Sequence, residues 1–472
     1  MRAHEAGALH AQGYGAPGWL APPEDPNALV ARLWPSGVRR HAGGALEVAG
    51  VDVRDIARDY GTAAYVIDEA DFRSRAREFA TEFDRAFAPH CGGADVYYAG
   101  KAYLCTETAR WVTAEGLRLD TVSGVELAVA LRAGVPGERI GLHGNNKSDA
   151  EITRAVRAGV GRIVLDSAEE VDRVADIARA NGTTARVLIR VTVGVEAHTH
   201  SYIATAHEDQ KFGVSLATGE AAGVAAAVLA RPQLDLRGLH SHIGSQIFDV
   251  AGFEVAARRL IGLHASLQAE HGSTLPEMDL GGGFGIAYTT QHDPMPVAEL
   301  ADGMADVVAK ECAAQGVDVP RVSVEPGRAV AGPSTFTLYT VGTTKEVVLD
   351  GGGVRRYVAV DGGMSDNIRA ALYGADYSAT LASRRSGARP QLTRVVGKHC
   401  ESGDILVMDE FMPADVGRGD LIAVPGTGAY CRSMASNYNH APRPPVLAVR
   451  EGTVRVLMRR ETEEDLLGLD MG

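Results

Sequence analysis

Residues 95–102 read DVYYAGKA, a short apolar run that ends abruptly on a glycine and a lysine. Aromatic and β-branched side chains favour extended backbone, and the polar end marks where a strand gives way to a turn. The pattern returns seven times downstream, in LRLDTVS (117–123), RIGLHGN (139–145), GRIVLDS (161–167), RVLIRVT (186–192), LRGLHSHIG (236–244), EMDLGGGF (277–284) and RVSVEPG (321–327). Between the early runs, GVELAVALRAG (124–134), DAEITRAVRAG (149–159) and AEEVDRVADIARANG (168–182) carry apolar residues at three- and four-residue spacing, and each closes on glycine. That spacing predicts amphipathic helices with glycine stops. Eight strand–helix alternations predict an α/β fold with a closed parallel (β/α)8 barrel; a doubly wound open sheet is the alternative.

Beyond residue 327 the texture changes. TFTLYTVGTTKEVV, RRYVAVDGG, LTRVVGKHC, DILVMDE, DLIAVPGTGAY and VLAVREGTVRVLM are strands with glycine or polar turns between them and little helix. They predict a mostly antiparallel β-domain, joined by ALEVAG (45–50) and AAYVIDEA (63–70) from before the barrel. The expected organisation is a disordered extension at 1–30, rich in Gly, Ala and Pro, a barrel at 70–333, and a β-domain at 31–69 and 334–472.

Composition agrees with this plan. A chain of 472 residues exceeds one typical domain, and 45% hydrophobic with 23% charged residues is an ordinary globular balance. The net charge of -13 argues against a nucleic-acid partner. No run reaches the length of a bilayer span, and residues 1–44 lack the apolar core of a signal peptide. Five cysteines without CxxC spacing suggest neither a disulfide framework nor a zinc knuckle, and a reducing cytoplasm is expected.

In a parallel barrel the chemistry gathers where the strands end, because the βα-loops converge there. Lys101 ends the first strand among aromatic and small residues, a setting that would partly desolvate its amine for Schiff-base chemistry; a surface lysine is the plainer reading. DLGGGFG (279–285) ends the seventh, and Gly281, Gly282 and Gly283 would let a phosphate approach backbone N–H groups, unless they form only a tight turn. SHIGSQ (241–246) supplies His242, which could stack on a cofactor ring, and Ser245, which could bond a phosphate. EPGR (325–328) ends the eighth strand. Glu325 could face a pyridine nitrogen and Arg328 could bind a carboxylate or phosphate, or the two could simply pair across a turn. In the β-domain, Arg369 and Tyr373 lie four residues apart, Cys400 stands beside Glu401, and Tyr430 follows a double-glycine turn. His198, His200 and His207 sit in a long polar connection (193–213), read as a mobile lid; no metal is expected there, for want of familiar ligand spacing.

In their order along the chain, Lys101, HSHIGSQ, GGGFG, EPGR, CES and GAY resemble the fold-type III pyridoxal-phosphate decarboxylases, the ornithine, arginine and diaminopimelate decarboxylase family with an alanine racemase-like architecture. The likeness runs from about residue 34 to the C-terminus. It implies pyridoxal 5'-phosphate held by Lys101, stacked on by His242, and bound through Ser245, the Gly281–Gly283 turn, Gly327 and Arg328, with Glu325 at the ring nitrogen and Tyr430 in contact. It further implies a homodimer in which Cys400, as proton donor, and Glu401 serve the partner's barrel. Lys398 and His399, directly before Cys400, are cationic neighbours of the kind that suit such a thiol. Arg328, Arg369, Tyr373, Glu401 and Tyr430 match the residues that hold meso-diaminopimelate in the members acting on it. A relative acting on another carboxylated amine (carboxynorspermidine, ornithine or arginine) and a non-catalytic pyridoxal-phosphate carrier remain as alternatives.

Overall fold

The computed structural model describes residues 15–194, 211–349 and 353–472. Two compact units divide the chain: one comprises Arg73–Gly285 and Pro294–Ala329, the other Met1–Phe72, Ile286–Asp293 and Val330–Gly472.

The first unit is the barrel. Its strands are Ala94–Ala99, Arg118–Thr121, Ile140–Leu142, Arg162–Leu165, Ala185–Thr192, Leu234–His240, Glu277–Asp279 and Arg321–Val324. Each pairs in parallel with the next, and the eighth closes on the first through Val322 opposite Ala94. All eight expected strands are therefore present, and the open sheet is excluded. Local chemistry sets the helices between them. Ser123 caps Gly124–Arg132 by accepting from the Glu126 N–H. Before Asp149–Ala158, Ser148 and Glu151 bond reciprocally, and Gly159 ends the helix in the left-handed conformation at φ 62°.

The barrel interior contains a buried polar layer. Arg162 is 1% exposed, bonds the Asp279 carboxylate and donates to Ser323 Oγ at 2.8 Å. Its guanidinium lies 3.5 Å from the centroid of the Tyr97 ring. A buried arginine is tolerable only when paired and bonded in this way.

The second unit is a mostly antiparallel sheet in the order Ile405–Pro413, Pro390–Val396, Val354–Val360, Thr335–Val348, Ala64–Asp68, Val446–Arg450 and Thr453–Met458. Two pairs within it are parallel: Val354–Val360 with Pro390–Val396, and Ala64–Asp68 with Val446–Arg450. The segment AAYVIDEA thus enters this sheet, whereas ALEVAG does not. Leu46–Val48 instead pairs with Val38–Arg40 and Val51–Asp52 in a separate three-stranded sheet. Leu46 and Val48 still reach the unit's core, where they join Trp34, Val66, Phe336 and Leu447. Residues 15–30, expected to lack order, are irregular backbone with Asn27 buried and bonded to Asp25 and Ser386. Side-chain amides that satisfy loop backbone can order a segment without regular structure. Among the described residues no helix is long and apolar enough to cross a membrane.

Candidate active site at the barrel rim

The ends of the barrel strands enclose a cavity of about 310 Å³, lined by Lys101, Asp120, His143, Asn145, Arg190, His240, His242 and Glu325 among others. Lys101 stands one residue beyond Gly100 in the turn after the first strand. Its side chain is exposed rather than half-desolvated, because the chain has already left the sheet there. It makes no hydrogen bond or ion pair with the described residues.

Glu325 sits opposite a group that the sequence did not suggest. His240 Nε2 lies 3.0 Å and His143 Nε2 3.4 Å from Glu325 Oε1, and His143 Nε2 is 3.1 Å from Asp120 Oδ1. All four residues are buried. Burial alone would favour the protonated acid, but the His240 and His143 imidazoles outweigh it and hold the Glu325 carboxyl well below its usual range. For His143, burial opposes the charge and Asp120 and Glu325 more than offset it, so its value is raised. Burial pushes Asp120 up, against the pull of His143. The buried Glu325 carboxyl is thus biased to its charged form where it lines the cavity. Glu325 Oε1 has no properly aligned hydrogen-bond donor among the described residues. His143, His240 and Glu325 also place three ligand-type atoms within 4.8 Å of one another, the one potential metal-binding group among the described residues; here they form one wall of the cavity.

The glycine run lies beside this wall. A Cβ on Gly281 would meet Ser241 O at 2.3 Å, and one on Gly282 would meet Glu325 O at 2.3 Å. Gly281 also has φ 71°, so both space and backbone require glycine. The Gly282 N–H points at His242 Nδ1, 3.2 Å away. That bond needs an unprotonated Nδ1, and burial together with Lys101 keeps the His242 value well below normal. Arg328 donates to Ser245 Oγ at 2.9 Å, and Gly327 allows the EPGR turn to pass Ala99 O at 2.9 Å from where its Cβ would be. Lys101, His242 and Glu325 therefore share one cavity. Gly281, Gly282 and Gly327 pack against its lining residues His242, Glu325 and Ala99, a Cβ on Gly283 would meet Gly244 O at 2.6 Å, and Ser245 and Arg328 pair with each other.

The remaining candidates lie in the other unit. Arg369 and Tyr373 begin and end the short helix Arg369–Tyr373. Tyr430 holds a left-handed φ of 62°. Cys400 is exposed, with its backbone N–H bonded to Asn439 Oδ1 at 3.0 Å. The turn that carries it is clipped by Asp404, whose carboxylate accepts from Met364 N at 2.6 Å and His399 N at 2.8 Å. His399 turns inward to Ser365 Oγ, 2.7 Å away, and Glu401 accepts from the Gly403 N–H at 3.2 Å. Residues 195–210 of the expected lid, with His198, His200 and His207, lie outside the described residues.

Comparison with known proteins places the chain in a family. Residues 69–332 match the family model of the pyridoxal-dependent decarboxylases, pyridoxal binding domain. The diaminopimelate decarboxylase of Mycobacterium tuberculosis (strain H37Rv) is 54% identical over 447 residues, covering 94% of this chain and 98% of that one. The Mycobacterium leprae enzyme of the same name is 52% identical over the full length of both. The chain belongs to the pyridoxal-dependent decarboxylase family. Among solved structures, a diaminopimelate decarboxylase from M. jannaschii in co-complex with L-lysine aligns with TM-score 0.86 at 29% identity, covering 93% of this chain and 98% of that one.

The cofactor of this family is pyridoxal phosphate, and the residues at the rim fit it. An amine at the cavity mouth, a glycine run with no room for side chains, a hydroxyl paired with a guanidinium, and a buried carboxylate awaiting a donor are what its aldehyde, phosphate and ring nitrogen require. His143, His240 and Arg190 escaped the sequence reading. For His240 a signal existed: it stands two residues before His242 at the end of the same strand, a spacing that puts both on one face, and both line the cavity.

Proposed function

We propose that this chain decarboxylates meso-2,6-diaminopimelate to L-lysine and CO2, the last step of lysine biosynthesis, as a pyridoxal-phosphate-dependent carboxy-lyase. The observation that carries the substrate assignment is Arg369. The residue is 5% exposed, and its guanidinium has no carboxylate partner among the described residues. A buried cation without a counter-ion is costly, and an anionic group on the substrate resolves it. Diaminopimelate brings such a group, a carboxylate on the amino-acid centre that is not decarboxylated. Ornithine and arginine bring none.

Bound at the rim, pyridoxal phosphate supplies an electron sink for the pair of electrons left when the carboxylate departs as CO2. The chain's residues do the rest. Lys101 Nζ would hold the cofactor's aldehyde, and His242 would pack on its ring. Ser245, Arg328 and the glycine run bind the phosphate. Glu325, kept ionised by its histidines, holds a proton on the ring nitrogen. Arg328, Arg369, Tyr373, Glu401 and Tyr430 orient the substrate so that its D-centre is the one that reacts, and Cys400 Sγ delivers the proton that replaces CO2. The enzyme acts as a homodimer in the cytoplasm, with Cys400 and Glu401 serving the partner's barrel. Five thiols left free are in keeping with a reducing compartment.

The direct test is CO2 release from meso-diaminopimelate set against ornithine, arginine and carboxynorspermidine, with the absorbance of bound cofactor recorded alongside. Turnover of meso-diaminopimelate with little on the other three is expected. Preference for another of them would replace the substrate, and a bound cofactor without CO2 release would leave only a carrier. In the same assay Glu325→Gln, which keeps shape and loses charge, is expected to cut kcat by about 10²–10³, the usual cost of removing one preorganised electrostatic group. Full activity in that variant would take Glu325 away from the ring nitrogen.

A further inference from the structure

Arg369 is held in a cage of phenols. Its Nη1 donates to Tyr288 Oη at 2.5 Å and to Tyr377 Oη at 3.4 Å. The guanidinium carbon lies 5.0 Å from the Tyr288 ring centroid and 5.9 Å from that of Tyr430. Tyr288 and Tyr377 meet edge to face at 5.0 Å, and both are buried, at 3% and 1% exposure. Behind them the network closes. Tyr377 Oη is 3.7 Å from Cys431 Sγ, and Cys431 Sγ and the Arg369 backbone N–H both reach Asn367 Oδ1, at 3.4 and 3.3 Å. Tyr288 is pressed against Gly426, where a Cβ would stand 3.1 Å from its ring.

The chemistry of this cage is unusual for a buried guanidinium. Neutral phenol oxygens occupy one edge of the fork, no carboxylate neutralises it among the described residues, and Nε is buried without a hydrogen-bond partner. Phenols can fix the plane of a guanidinium by hydrogen bonds and ring contacts while leaving its charge available to a ligand. A structural arginine would be paired with an acid, as Arg162 is with Asp279.

We propose that Tyr288 and Tyr377 are positioning residues that fix the Arg369 guanidinium for the distal carboxylate of the substrate, and so help set specificity for amino acids that carry one. This rests on reading Arg369 as the anchor of that carboxylate. Neither tyrosine touches the reacting atoms; each acts through Arg369. Losing one phenol leaves Nη1 short of an acceptor and frees the fork to rotate, which weakens binding of substrate and transition state alike and raises KM while kcat is kept.

The test uses the cofactor-loaded enzyme with Tyr288→Phe, Tyr377→Phe and Arg369→Gln. For each, KM and kcat with meso-diaminopimelate, inhibition by L-lysine, inhibition by 1,5-diaminopentane and the cofactor spectrum are measured. L-lysine retains the distal carboxylate, and the diamine lacks it. Each phenylalanine variant is expected to raise KM and the L-lysine inhibition constant about three- to tenfold, the worth of one hydrogen bond, without moving kcat, the spectrum or inhibition by the diamine. Arg369→Gln is expected to raise the same two constants about tenfold to a hundredfold. If Arg369→Gln shifts them and neither phenylalanine variant does, the cage is only structural and the proposal falls while the anchor stands. If Arg369→Gln leaves them unmoved, the anchor itself falls. Equal weakening of L-lysine and the diamine would mark a general disturbance and overturn the proposal. The two phenylalanine variants are independent, so misfolding of one leaves the other to decide.

Discussion

Lys101→Ala is expected to give a folded protein with no CO2 release above background and no absorbance from a lysine-bound cofactor. The first half of that expectation comes from packing. Lys101 is exposed, lies beyond the last strand residue and makes no hydrogen bond or ion pair with the described residues, so truncation leaves no cavity and strands no partner. Surface changes of this kind usually alter stability by no more than about 0.5 kcal/mol. The second half comes from chemistry. An alanine offers no nitrogen to hold the cofactor's aldehyde, and no other lysine is among the residues that line the cavity. Unfolding midpoint, spectrum and CO2 release measured on one preparation separate the two halves. A variant that kept both the absorbance and the turnover would strike Lys101 from the mechanism, and another amine would have to hold the cofactor's aldehyde.

Cys400→Ala is expected to bind the cofactor as the parent does and to form L-lysine about 10²–10⁴ times more slowly, the range for losing a positioned general acid. The turn that carries Cys400 is held by backbone atoms and by Asp404. Its own N–H bond to Asn439 survives the substitution, so the variant retains its local shape. What it loses is the sulfur proposed to return a proton to the carbon from which CO2 has left. A wild-type rate would exclude the thiol as donor. Mixing inactive Lys101→Ala with the slow Cys400→Ala variant adds a test of assembly. If Lys101 of one protomer works with Cys400 of its partner, mixed dimers contain one intact site and activity returns. If both act within one chain, the mixture stays slow.

These expectations rest on features of very different visibility. The barrel was legible because a parallel strand buried on both faces is a short apolar run, and because each such run ends sharply where the chain turns out to the rim. DVYYAGKA and RVSVEPG, at opposite ends of the barrel sequence, both show this, and their last residues place Lys101 and Glu325 on the same cavity. The glycines of GGGFG were legible for a related reason: only the absence of Cβ atoms lets backbone lie against Ser241 O and Glu325 O. The segment ALEVAG was legible as a strand of the β-domain unit, but alternation says nothing of which sheet within the unit it joins.

The sequence by itself thus determined the strand count, the closed barrel and the chemistry available at each strand end, because those follow from periods of two and 3.6 residues and from local turn residues. Only the tertiary structure decided which of those groups meet. His143, His240 and Glu325 come from three different strands and converge because barrel closure sets their register, a long-range constraint that no local pattern records. Arg369 finds Tyr288 for the same reason: Ile286–Asp293 leaves the barrel's stretch of sequence to join the other unit, and a phenol more than eighty residues upstream becomes the partner of a buried charge.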